Sequence, residues 1–166
     1  QIATTQGVQT LSIPVEKFDT PKCLMRDVRI SDHANWRHVH WNALVSAYGE
    51  SPFFEFFEDD IRPFFTKKWT FLYDFNFEIM QKMCELLDIE PNVQATTEYL
   101  KIGEGYRDEL EMVDFREAIH PKRPLPDRSF QPLPYYQVYA EKHGFIPNLS
   151  ILDLLMNLGN EAILLL

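Results

Sequence analysis

Cysteine is scarce in this chain: only Cys23 and Cys84 occur among 166 residues. That excludes a disulfide framework and a cysteine-rich zinc module, and it suits a reducing, cytoplasmic compartment. Long apolar runs are also missing. The longest, residues 162–166, falls far short of the roughly 20 residues of a membrane helix, so no membrane span is expected. Positive charge is in short supply, with 16 Lys and Arg against 25 Asp and Glu and a net charge of -9. Such a surface repels phosphate backbones and anionic lipid, so neither nucleic acid nor a lipid surface is an expected partner. GxGxxG, Walker A, GxSxG and HExxH motifs are all absent. Dinucleotide binding, P-loop hydrolysis, α/β-hydrolase chemistry and zincin chemistry therefore lack support.

What is present is material for a core. Aromatic residues make up 14% of the chain and apolar residues 45%. The length fits one domain, and a single domain over residues 1–166 is expected. The opening run from Gln1 reads as the end of a strand turning at Gly7, without an initial Met, so the sequence is expected to be part of a longer chain. Residues 8–15 alternate apolar and polar, as do residues 26–30. Both read as strands, with Pro14 at an edge and a hairpin-like pairing between them.

Three main helices follow. The first is predicted over residues 32–48, with Asp32 as N-cap and Gly49 beyond its end. Its apolar stripe is read as Trp36, Val39, Ala43 and Ala47, widened by Trp41, Leu44, Val45 and Tyr48. The second starts at Ser51, with Pro52 at its first position, and Pro63 kinks it or begins another. Phe53, Phe57, Ile61, Phe64 and Phe65 share its inner face. The third covers residues 68–87, with Leu72, Phe75, Ile79, Met83 and Leu86 at helical spacing. Residues 94–100 read as a short strand and residues 121–134 as a proline-rich extended loop. Residues 135–139 read as a short strand or helical turn. Ser150 and Asp153 have capping-box spacing ahead of a short apolar helix that ends at Gly159. The fold class is thus α+β: a small antiparallel sheet packed on about three main helices, with an irregular, proline-rich C-terminal section.

The densest polar cluster spans residues 32–42 and holds His33, His38 and His40. On a helix, His38 and His40 diverge by about 200°, and His33 lies about 10 Å from His40 along the axis. No pair has the four-residue spacing that suits zinc, so no metal and no cofactor is expected. Arg37 and His40, three apart, can address one ligand. Arg supplies a fork for a carboxylate or phosphate, and His exchanges a proton near neutral pH. The plainer alternative is a core histidine on the buried stripe, with the tryptophans as core. Ser51 is most simply an N-cap, yet a helix start also gathers free N–H groups that bind anions. Glu55, one turn in, is either a solvated residue at a helix start or a wall of the same cleft. The acidic run 104–117 and the basic island 120–123 read as surface.

As an ordered set, certain pieces resemble the WbqC-like protein family. They are Leu11-Ser-Ile-Pro-Val15, Ile30-Ser-Asp-His33, Asn35-Trp-Arg37, His40-Trp41, Ala47-Tyr48 and Ser51-Pro-Phe-Phe-Glu55. Residues 114–122, Tyr135-Tyr-Gln137 and Gly144-Phe-Ile-Pro-Asn-Leu-Ser-Ile-Leu-Asp153 continue the likeness across nearly the whole chain. The resemblance implies a further segment ahead of the Ile-Pro-Val strand. It also implies a place in bacterial surface-polysaccharide (O-antigen) assembly, as a transferase that adds glycine to a sugar. A sugar nucleotide or other anionic precursor is then the expected partner. His40, Arg37 and Glu55 are the candidate catalytic residues, and Trp36, Trp41, Tyr48 and Ser51 the candidate substrate contacts. The alternative is a non-catalytic glycan- or partner-binding module of the same pathway. Convergence of Arg37, His40 and Glu55 on one cleft would favour the enzyme.

Overall fold

The opening alternation closes immediately into a hairpin. In the computed structural model, β1 (Ile2–Thr4) pairs antiparallel with β2 (Gly7–Gln9), with Ile2 opposite Gln9 and Thr4 opposite Gly7. Gly7 has φ +105°, a conformation closed to most side chains. The structure describes residues 1–18, 23–99, 115–116, 119 and 130–166. They fall into two compact units, one of residues 1–91 and 133–166 and one of residues 92–132.

In the first unit the strand predicted over residues 8–15 ends at Gln9, and the chain continues as an extended segment. The second predicted strand is shorter still, because Met25–Asp27 form a 3₁₀ turn. The expected pairing survives as a single bridge, and a second bridge, outside that pairing, lies beside it. Val15 lies opposite Ile30, and Arg29 lies opposite Phe71. Residues 28–30 therefore sit between two extended segments, with Glu16 N–H bonded to Arg29 C=O and Leu72 N–H to Val28 C=O, both at 2.9 Å.

Four helices then follow: α1 (Trp36–Tyr48), α2 (Phe54–Ile61), α3 (Pro63–Thr66) and α4 (Leu72–Leu86). Pro63 opens a new helix, as its missing N–H permits. The buried stripe of α1 is Trp36, His40, Leu44, Ala47 and Tyr48, while Val39 and Val45 face solvent. α1 carries apolar residues on most sides, so its neighbours chose the inner face. α2 starts at Phe54, two residues after the predicted first position at Pro52. The Ser51 hydroxyl donates to Tyr48 C=O at 2.6 Å instead of capping. α4 also starts late, and packs Phe75 and Met83 inward with Leu72, Ile79 and Leu86 partly covered.

The C-terminal part supplies α5 (Ala140–His143), α6 (Ile151–Leu158) and a 3₁₀ turn Gly159–Leu165. Residues 135–137 form no strand, and the chain turns into α5. α6 begins and ends where its sequence signals place it, with the Ser150 hydroxyl accepting from Leu152 N–H. One core joins β1, α1, the α2–α4 run and α6 through Ile2, Leu44, Phe57, Ile61, Phe75 and Leu155. Burial of such rings and branched chains is the main stabilising term. The fold is α+β.

In the second unit, residues 94–99 form no strand. Arg116 lies over the Tyr99 ring at 5.1 Å. Ile119 N–H bonds to Phe115 C=O at 2.8 Å. Residues 19–22, most of the acidic run, the island at 120–123 and most of the proline-rich loop lie outside the described residues.

Candidate functional site

The polar cluster of residues 32–42 is built by an abrupt entry into α1. Ala34 and Asn35 both have positive φ, 58° and 48°. Left-handed backbone costs a non-glycine residue about 1–2 kcal/mol, so two in succession form a strained corner. Past that corner Trp36 turns into the core and Arg37 is left at its edge.

Asp32 does not cap a helix with its side chain. Its carboxylate instead bonds Arg37 Nη2 at 2.6 Å through Oδ1 and Lys68 Nζ at 3.2 Å through Oδ2. Charge-assisted bonds outweigh a neutral cap. The Arg37 bond, with that of Lys68, holds the Asp32 carboxyl below the usual carboxylate range. The Arg37 guanidinium lies 5.4 Å from the Trp36 ring centroid. Arg37 Nη1 and Trp36 Nε1 are buried with no hydrogen-bond partner among the described residues. Such atoms are few in folded proteins, and each calls for a reason.

His40 sits one turn further along α1, within the core. It is 7% exposed, with its ring edge-on to Trp36 at 5.1 Å and to Phe65 at 6.3 Å. Burial pushes its pKa down, and a hydrogen bond to the Ser12 backbone partly opposes this. His38 faces solvent, where its Nε2 meets Asn42 Nδ2 at 2.9 Å. Among the described residues no group of three His, Cys, Asp or Glu side chains comes close enough to hold a metal.

The remaining candidates stand elsewhere. Trp41 is half-buried between Phe54 and Phe65, at 6.2 and 6.1 Å, with Arg62 over its ring at 5.9 Å. Glu55 lies on the exposed side of α2. Ser51 is buried, and the amides near the helix start are occupied. Ser51 N–H bonds Tyr48 C=O, Phe53 N–H bonds Met156 C=O and Phe54 N–H bonds Ser51 C=O. An oxyanion at this helix start would find those donors taken. The structure thus brings Trp36, Arg37 and His40 together and sets Tyr48 and Ser51 in a second group.

Tyr48 belongs to a buried network that sequence reasoning missed. Its hydroxyl donates to Asp153 Oδ1 at 3.0 Å. Asp153 Oδ2 accepts from Tyr135 Oη at 2.7 Å and Gln137 Nε2 at 3.0 Å. Gln137 also clasps the Ile146 backbone through both N–H and C=O, each at 2.9 Å. Burial first, then Asp153, raises the pKa of Tyr48 and Tyr135 well above the usual phenol range. One signal was available: Asp153 is the one charge in a largely apolar helix, enclosed by Leu152, Leu154 and Met156. Lys68 carried no signal, since its role depends on where the loop before α4 passes.

The sequence model of the WbqC-like protein family matches residues 1–120. Uncharacterized protein Rv1507c of Mycobacterium tuberculosis is 26% identical over 180 aligned residues, covering 98% of this chain and 77% of its own length. No solved structure matches the chain significantly. Among the described residues no helix is long and apolar enough to cross a membrane.

Proposed function

Because the chain belongs to the WbqC-like protein family, we propose that it works in polysaccharide-related biosynthesis. In this reading it is a transferase acting on a nucleotide-linked or otherwise anionic sugar precursor: a sugar hydroxyl or amine attacks the carbonyl of an activated glycine, the bond to the activating group breaks and that group leaves, and the glycyl group ends on the sugar.

One observation carries the binding half of this reading. Two cations from separate segments, Arg37 on α1 and Lys68 ahead of α4, converge on a single carboxylate, Asp32. In a chain of net charge -9 an anionic ligand gains nothing from the overall field and needs such a local pair. Asp32 holds the place that a phosphate or carboxylate of the precursor would take. The unpartnered Arg37 Nη1 leaves the guanidinium fork with a donor to spare. Trp36 gives the guanidinium a ring to rest on. In this mechanism Arg37 binds the anion and Lys68 assists it. His40, kept neutral by burial, accepts the proton of the attacking sugar group.

His40 also favours a second reading. Its imidazole is buried and bonded to the Ser12 backbone, away from solvent. A non-catalytic module that holds a glycan precursor needs no base, and would use the same Arg37 fork.

The test is mass spectrometry of the full-length protein with sugar nucleotides and activated glycine, beside binding measurements on variants. Arg37→Ala and Lys68→Ala should weaken sugar-nucleotide binding, and Asp32→Asn, which removes the internal competitor, should strengthen it. A glycylated sugar that disappears in Arg37→Ala and His40→Gln supports the transferase. Binding without product supports the module. Unchanged binding in all three charge variants would sink both.

A further inference from the structure

On the flank of α1 away from Arg37, the turn of the β1–β2 hairpin and the exposed side of the helix enclose a groove of about 490 Å³. Asn42 and Ser46 lie about 140–180° around α1 from Arg37, so this groove and the Asp32 cluster do not share a ligand. Its walls are Thr4, Gln6, Gln9, Asn42 and Ser46, all neutral hydroxyl or amide side chains. Val8 and Ala43 add an apolar floor. No charged side chain lines it among the described residues. Among the described residues the side-chain amides of Gln6 and Gln9 and the hydroxyl of Ser46 have no partner, while the Gln6 backbone N–H is held by Thr4 Oγ1 at 3.2 Å. Asn42 has only His38.

The groove is tied in place from outside. Lys142 Nζ and His143 Nε2 reach Thr5 C=O at 2.6 and 3.3 Å, and Tyr139 Oη donates to Ser46 C=O at 3.1 Å. Three contacts from α5 and the residue before it thus brace both walls.

We propose that this groove binds a neutral saccharide chain. The side-chain amides and the serine hydroxyl can donate to and accept from sugar hydroxyls, and the apolar floor suits the C–H face of a pyranose ring. The lining selects against other ligands. No carboxylate lines the groove, and the adjacent cation, Lys142, lies outside the lining and is bound to Thr5 C=O, so neither an anion nor a cation meets an opposite charge among the lining side chains. A purely apolar ligand would strand the unpartnered amides. A strand-adding peptide would meet only the three residues of β2. The volume lies within the range of about 300–1,000 Å³ typical of small-molecule sites. The proposal extends the polysaccharide reading above by giving the neutral glycan its own seat, yet its evidence does not involve Arg37.

The test is amide NMR of the labelled full chain titrated at millimolar concentration with maltohexaose, isomaltohexaose and chitohexaose, and with glucose 1-phosphate as the charged probe. At least one neutral hexasaccharide should shift the amides of Gln6, Gln9, Asn42 and Ser46, and glucose 1-phosphate should leave these unshifted. Gln9→Ala and Asn42→Ala, both at exposed positions, should each weaken binding by about three- to tenfold. Ser46→Tyr, which fills the groove, should abolish it. Lys68→Ala should leave it intact, so failure of the anion site and failure of the groove read out separately. No groove shift with any of the three neutral probes, or equal affinity in the three groove variants, overturns the proposal.

Discussion

Tyr48 and Asp153 stand 105 residues apart in the chain and meet in the core, the phenol donating to one carboxylate oxygen at 3.0 Å. Through this bond the end of α1 is joined to α6, and through Tyr135 and Gln137 to the segment before α5. The carboxylate is 1% exposed and its hydrogen bonds come from neutral donors. A buried charge held this way is costly to disturb.

Asp153→Ala is therefore expected to cost about 3–5 kcal/mol, because two buried donors, Tyr48 and Gln137, and the part-buried Tyr135 hydroxyl lose this acceptor together. Tyr48→Phe removes one donor and should cost about 1–3 kcal/mol. Urea denaturation followed by circular dichroism measures both. An Asp153→Leu protein as stable as the parent would show the network to be dispensable.

The two phenols make alkaline stability a second test. Their folded pKa values are raised above the ordinary value of 10.0. The folded state therefore keeps protons that the unfolded state releases above about pH 10. Stability from these groups is complete below pH 10 and is lost as pH rises beyond it. Phenolate absorbance of two tyrosines should appear only with unfolding. Titration of all seven tyrosines in the folded protein would contradict this.

His40 works in the opposite pH direction. Burial lowers its folded pKa below 6.5, so below that pH the unfolded chain binds a proton the folded chain resists. Its contribution is present above about pH 6.5 and fades as the pH falls through the folded value. Stability measured between pH 7 and pH 5 should contain a component that His40→Gln lacks. Identical slopes for parent and variant would place His40 in solvent.

At the C-terminus, Leu155 is 0% exposed, and Leu155→Ala should cost about 2–5 kcal/mol. Gly159 has φ +62°, and a Cβ there would stand 2.7 Å from Phe53 Cε1. Gly159→Ala should cost about 2–4 kcal/mol from backbone strain and overlap combined. Thermal melting of the two variants checks the pair. An unshifted Leu155→Ala would mean that this face of α6 is exposed in solution.

Signals confined to one turn of chain were legible in the sequence. The Ser150 cap and the Gly159 stop bound α6, Pro63 opens α3, and Gly7 turns the hairpin, because a cap, a missing N–H or a positive φ acts on immediate neighbours. The antiparallel approach of residues 14–16 and 28–30 was also readable from alternation, although it closed as a bridge and not as a strand. Tertiary structure decided the rest. α1 is apolar on most sides, so β1, α3 and Phe75 determined that Trp36 and His40 turn inward while Val39 and Val45 stay in water. Asp32 and Ser51 read as caps, but stronger or nearer partners took them: the Arg37 and Lys68 charges for one, the Tyr48 carbonyl for the other. Asp153 read as half of a capping box, and only packing brought Tyr48, Tyr135 and Gln137 around it. The misplaced charge of Asp153 was visible locally, but its partner 105 residues away was not, since the energy of that hydrogen bond depends on a neighbour that the folded core alone supplies.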